Sequence, residues 1–125
     1  MLLSKLKSLA IFAAICLPTT FVSPSAQAAT CSGASFYGGH GDGYAWQTMA
    51  NGQPMNPNAM ITAHRSLPFG TKLRVTNQSN GKSVVVTVTD RGPFVSGREL
   101  DLSYAAFTAL APASRGHINV CYTVA

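Results

Sequence analysis

A chain of 125 residues has room for one domain. Nine Lys and Arg against four Asp and Glu give a formal net charge of +5, but the basic residues are scattered and form no basic run, which argues against nucleic acid as a partner. The acids are Asp42, Asp90, Glu99 and Asp101, and three of the four fall within residues 90–101, so carboxylate chemistry has one natural place to occur.

The chain opens on a targeting segment. Lys5 and Lys7 precede an apolar run over residues 9–17, Pro18 ends it, and Ala26-Gln27-Ala28 has the small-residue spacing of a signal-peptidase site. Residues 1–28 are therefore expected to be a secretory signal peptide and residues 29–125 the domain. The run is shorter than the roughly 20 residues a transmembrane helix needs. Cys16 follows apolar residues as a lipidation cysteine would, but Ile15 stands where a small residue belongs, which argues against a lipoprotein. An exported protein meets oxidising conditions, which favour pairing of Cys31 with Cys121 over two separate buried thiols. The mature part keeps a mild basic excess (seven Lys and Arg minus four acids, +3), suited to an anionic envelope polymer.

Residues 30–37 read as a first strand. Gly38-Gly39-His40-Gly41-Asp42-Gly43 follows as a flexible loop in which His40 and Asp42 are expected to be solvated. Tyr44 and Trp46 beside it suit either core packing or stacking on sugar rings. Asn51-Gly52 marks a turn, and residues 59–64 read as a short strand leading to His64. Residues 72–77 alternate polar and apolar, and Asn80-Gly81 predicts a hairpin with the valine-rich strand that follows. In that strand Val84, Val86 and Val88 face one way and Val85, Thr87 and Thr89 the other, until Arg91-Gly92-Pro93 breaks it and leaves Asp90 at its rim. Leu100 and Leu102 point to the core, with Glu99 and Asp101 on the other side. Ser103 is an N-cap candidate for a helix over residues 104–111, stopped by Pro112. Residues 116–124 form a last strand carrying Cys121. Short strands, turns and one short helix indicate a small β-barrel.

Several motifs stand in order: Ser35-Phe36-Tyr37-Gly38, Ala50-Asn51-Gly52, Thr62-Ala63-His64, Leu67-Pro68-Phe69-Gly70-Thr71, Val75-Thr76-Asn77, Asp90-Arg91-Gly92-Pro93-Phe94 and Leu100-Asp101-Leu102-Ser103. Together they resemble the RlpA (rare lipoprotein A)-like family of bacterial envelopes over residues 34–109. The resemblance implies a mainly β fold, a six-stranded double-psi β-barrel with one or two short helices. It also implies a glycan groove and lytic transglycosylase activity. Such enzymes cleave peptidoglycan strands between N-acetylmuramic acid and N-acetylglucosamine, leave a 1,6-anhydro end, and prefer strands stripped of peptides. The expected location is the periplasm or cell envelope, the expected state a monomer, and the partners peptidoglycan glycan strands with envelope or divisome proteins.

That reaction needs an acid to protonate the glycosidic oxygen. The same group, then a base, assists attack by the sugar's own 6-hydroxyl, so one carboxylate can serve both steps. Asp90, whose motif matches the family's, and Asp101, which resembles the aspartate of expansin-like relatives, are the candidates. His64 matches the family's histidine and is expected to assist them. Tyr37, Arg91 and Gln53 are expected to line the groove. Gln53 departs from the family's pattern, which has glutamate after Asn-Gly; an amide binds sugar but cannot transfer a proton at neutral pH. A non-catalytic, expansin-like glycan-binding barrel is therefore the alternative. His40, His64 and His117 have no metal-ligand spacing, so neither metal nor cofactor is expected.

Overall fold

The structure, a computed structural model, describes residues 28–125. The expected signal peptide, with Cys16, lies outside the described residues apart from Ala28. Among the described residues no helix is long and apolar enough to cross a membrane.

Six strands close into a barrel: β1 (Thr30–Tyr37), β2 (Ile61–Ala63), β3 (Lys72–Asn77), β4 (Ser83–Asp90), β5 (Arg98–Ser103) and β6 (His117–Val124). Around the barrel the order is β1-β5-β2-β4-β3-β6. The β1–β5 and β2–β4 pairs are parallel and the others antiparallel. Closure leaves no free sheet edge, which a six-stranded open sheet of this size would have to protect. The Asn80-Gly81 turn joins β3 to β4 as its sequence predicts, with Gly81 at φ 77°.

Alternation sorts the side chains. Val86, Val88, Leu73, Val75, Leu100, Leu102, Ile118 and Val120 fill the interior, and Phe107 and Leu110 seal one side of it. Helix α1 (Tyr104–Thr108) is shorter than its sequence predicts, and residues 109–111 continue as a hydrogen-bonded turn. Ser103 caps it, accepting from Ala106 N–H at 3.1 Å and donating its hydroxyl to the Ala59 carbonyl. Cys31 and Cys121 are cross-strand partners on β1 and β6 and form a disulfide across the barrel's closing seam.

A second, smaller apolar cluster (Met49, Met55 and Ile61, with Tyr37 against it) supports a hairpin over residues 48–54. That hairpin is bound to the end of β4: Asn51 N–H donates to the Thr89 carbonyl and Ala50 N–H to the Asp90 side chain.

Candidate active site

The site is built on three neighbouring strands, β5, β2 and β4. Ala63 of β2 is in register with Asp101 of β5 on one side and Asp90 of β4 on the other. The two aspartates thus flank one alanine, with Cα atoms two strand spacings, roughly 9–10 Å, apart. Alanine adds no bulk between them, and the space above it is an open cleft of about 280 Å³. Tyr37, Tyr44, Arg91, Phe94 and both aspartates line it.

Simple alternation from Val86 and Val88 would send Asp90 into the core. The register between β2 and β4 slips by one residue after Thr62, so that Ala63 pairs with Asp90 and Thr89 has no partner on β2. This bulge turns Asp90 to the face that Ala63 and Asp101 share, as bulges beside active sites often do.

The two carboxylates have different surroundings. Asp90 accepts three hydrogen bonds: from the Tyr37 hydroxyl at 2.7 Å on Oδ2, and from the N–H groups of Ala50 and Arg91, each at 2.9 Å, on Oδ1. Asp101 accepts one, from Ser35 Oγ at 2.9 Å, and Ser35 in turn accepts from Arg98 Nη1 at 3.3 Å. Burial pushes the Asp101 carboxyl above the usual aspartate range; Ser35 and Arg98 pull it back, and the charges of Asp42 and Asp90 add to the rise. Burial, and then the bond to Asp90, push the Tyr37 phenol up as well, so it stays a neutral donor. Arg91 lines the cleft with its charge braced from behind. Its Nη1 donates to the carbonyls of His64 and Leu67, and its guanidinium lies 3.9 Å from the centroid of the Phe69 ring.

Of the residues expected in the groove, Asp90, Asp101, Tyr37 and Arg91 are brought together, and His64 and Gln53 are not. Along β2 the side opposite Ala63 belongs to Thr62 and to the residue after Ala63, so the His64 ring leaves the cleft. It lines a separate pocket with Glu99 and Tyr122. Its Nδ1 accepts the N–H groups of Ser66 and Leu67, which leaves Nε2 to donate to the Tyr122 hydroxyl at 3.1 Å; that hydroxyl donates to Glu99. Burial lowers the His64 pKa, with Glu99 opposing. His64 therefore ties down the turn whose carbonyls hold Arg91. Gln53 lies exposed on the returning arm of the 48–54 hairpin, its carbonyl accepting from Met49 N–H and its own N–H bonded to Asn51 Oδ1.

The loop after β1 keeps His40 and Asp42 exposed, as expected, and has internal order besides. Asp42 organises it, accepting from Gly38 N–H at 2.8 Å and Tyr44 N–H at 3.0 Å. His40 packs edge-on against Tyr104. Ser35 and Phe94 are site residues that stand in the sequence motifs without an expected role. The alternation Ser35-Phe36-Tyr37 places Ser35 on the face of Tyr37, but only the parallel pairing of β1 with β5 sets it opposite Asp101.

Known proteins resemble this chain in sequence and in fold. The profile of a family described as lytic transglycolase matches residues 29–122. A probable endolytic peptidoglycan transglycosylase RlpA of Nostoc sp. is 57% identical over 83 residues, which are 66% of this chain and 22% of that protein. The endolytic peptidoglycan transglycosylase RlpA of Rickettsia prowazekii is 45% identical over 87 residues, 70% of this chain and 27% of that protein. The match thus spans about a quarter of the length of these relatives. Among solved structures, a mutant Clavibacter michiganensis expansin in complex with cellohexaose superposes with a TM-score of 0.61 at 28% identity, over 78% of this chain and 50% of that one.

Proposed function

Because this chain belongs to the lytic transglycolase family of RlpA-like double-psi β-barrels, we propose that it cleaves peptidoglycan glycan strands in the cell envelope, with Asp101 as the group that carries the proton. The observation that carries this reading is the asymmetry of the pair across Ala63. Asp101 is half-buried, holds a single side-chain donor and has its pKa raised by desolvation, as a group that must be protonated before it can act requires. Asp90 accepts three hydrogen bonds and is fixed at the strand end, an arrangement suited to stabilising developing positive charge.

In this scheme the protonated Asp101 donates to the glycosidic oxygen between N-acetylmuramic acid and N-acetylglucosamine. The C1–O bond breaks, and positive charge spreads over C1 and the ring oxygen. Asp90, held by Tyr37, Ala50 and Arg91, stabilises that charge. The Asp101 carboxylate then takes the proton from the 6-hydroxyl as its oxygen bonds C1, which gives the 1,6-anhydro product and restores the acid. No water or enzyme nucleophile is consumed. His64 supports the reaction at one remove, by holding the turn that fixes Arg91.

A second reading is specifically favoured by Gln53, where the family's pattern has glutamate, and by the likeness to an expansin in complex with a glucan oligosaccharide. In it the barrel binds glycan strands and does not cut them. Incubating residues 29–125 with peptide-free glycan strands and analysing the products by mass spectrometry separates the two. The proposed activity yields 1,6-anhydromuramic ends; strands that are bound but intact would establish the second reading.

A further inference from the structure

Three large aromatic side chains stand in solvent on the loops that follow β1 and β4: Tyr44 is 57%, Trp46, two residues further along the same loop, 60% and Phe94 79% exposed. Tyr44 and Phe94 line the cleft itself, from the two loops that lead away from β1 and β4. Tyr44 is fixed there edge-on against Tyr37. Trp46 is the third residue of a turn closed by Gln47 N–H to the Tyr44 carbonyl at 3.1 Å, and its φ is 67°. It is the one non-glycine residue with positive φ among the described residues. Glycine fits that position without strain and an indole does not. The backbone is held there from both sides: Trp46 N–H donates to the Met55 carbonyl at 2.6 Å, and Met55 N–H donates to the Gln47 carbonyl at 2.7 Å. The tryptophan bears this strain while most of its surface stays in solvent. Backbone strain maintained without a packing return is a mark of function.

We propose that Tyr44, Trp46 and Phe94 form an aromatic rim that binds a glycan strand on either side of the cleft, by stacking on the apolar faces of its sugar rings. This rests on the glycan reading above and extends it to the subsites flanking the scissile bond. Pyranose faces carry axial C–H groups, and flat rings exposed beside a polar cleft complement them. The catalytic pair contacts one linkage; the rim would supply the length preference and hold the strand in register with Asp101.

Trp46 is the chain's single tryptophan, so its fluorescence reports on the rim alone. The test uses the Asp101→Asn protein, which prevents cleavage, with peptide-free glycan strands as the probe. Bound strands should shift Trp46 emission to the blue and reduce its quenching by acrylamide. Phe94→Ala and Trp46→Gly should each weaken binding, by roughly three- to tenfold as expected for losing one aromatic contact. Trp46→Gly should at the same time melt no lower than its parent, because glycine relieves the turn. Strands that bind without changing Trp46 quenching, and bind Trp46→Gly as tightly as the parent, would overturn the rim and leave the glycan reading intact. Trp46→Gly with a lowered melting temperature and unchanged affinity would make Trp46 structural, which also overturns it. Failure of the parent to bind any strand would overturn the glycan reading itself, and the rim with it.

Discussion

Asp90 and Asp101 are the same amino acid in one cleft, and their surroundings differ: three donors on one, a single side-chain donor on the other. The raised pKa of Asp101 has a stability consequence with a definite sign. A carboxyl whose folded pKa lies above its unfolded value contributes stability at low pH, and that contribution is lost as pH rises through the folded pKa. Asp101→Asn should therefore be at least as stable as the wild type at neutral pH, with the difference closing on acidification; urea titrations at several pH values check this. His64 carries the opposite sign. Its pKa is lowered, so its contribution is present above about 6.5, the ordinary histidine value, and is lost as pH falls below it. Protonating Nδ1 also breaks its bonds to Ser66 and Leu67. Replacing His64 with Asn should lower stability at neutral pH and flatten its dependence on acidification between pH 7 and 5, read from melting temperatures. At this scale the sequence led to the two carboxylates that share the cleft, because there are only four acids to choose from. It was a poor guide to His64. Whether the residue after Ala63 enters the cleft depends on which face of β2 the cleft occupies, and that is fixed by strand pairing.

Among the elements, β1, β3, β4, β5 and β6 were legible because alternation and turn residues agree along them, the Asn80-Gly81 hairpin most clearly. The β2 strand shrank to three residues, since its neighbours on both sides belong to turns. The bulge at Thr89 was not legible at all. It lies in the pairing of β4 with β2, and nothing in a run of Val and Thr marks the residue that will lose its partner. Yet it decides that Asp90 faces the cleft. The N-cap of α1 was legible, and it joins two elements: Ser103 serves the helix and also donates to the Ala59 carbonyl just before β2. Ser103→Ala should cost about 1–3 kcal/mol, above the usual value for a lost cap, because a second buried bond goes with it. Chemical denaturation measures this. Within the 48–54 hairpin, the N–H of Ala50 is the donor to the Asp90 carboxylate. Ala50→Pro removes that donor from Asp90 and should lower turnover of glycan strands with a smaller effect on their binding.

Over the whole molecule, barrel closure makes one cooperative unit of strands far apart in sequence. The disulfide ties its first strand to its last across 90 residues. Loop closure of that length predicts a stabilisation of roughly 4–5 kcal/mol, so the Cys31→Ser/Cys121→Ser protein should show a clearly lower urea midpoint than the oxidised form. Closure also explains the site. Only the order β5-β2-β4 sets residues 90 and 101 on either side of residue 63, and only the parallel β1–β5 pair brings Ser35 to Asp101. The family resemblance carried this topology where composition and periodicity stopped at a small β-barrel.

The central claim is that Asp101 transfers the proton and Asp90 does not. Rates of 1,6-anhydro product formation from peptide-free glycan strands, measured for the wild type, Asp101→Asn and Asp90→Asn under saturating conditions, test it most directly. Asp101→Asn should lose about 10²- to 10⁴-fold in rate while still binding the strands. Asp90→Asn should keep measurable activity that still declines as pH rises through the Asp101 pKa. Undiminished product from Asp101→Asn would contradict the account, as would loss of that pH dependence in Asp90→Asn alone.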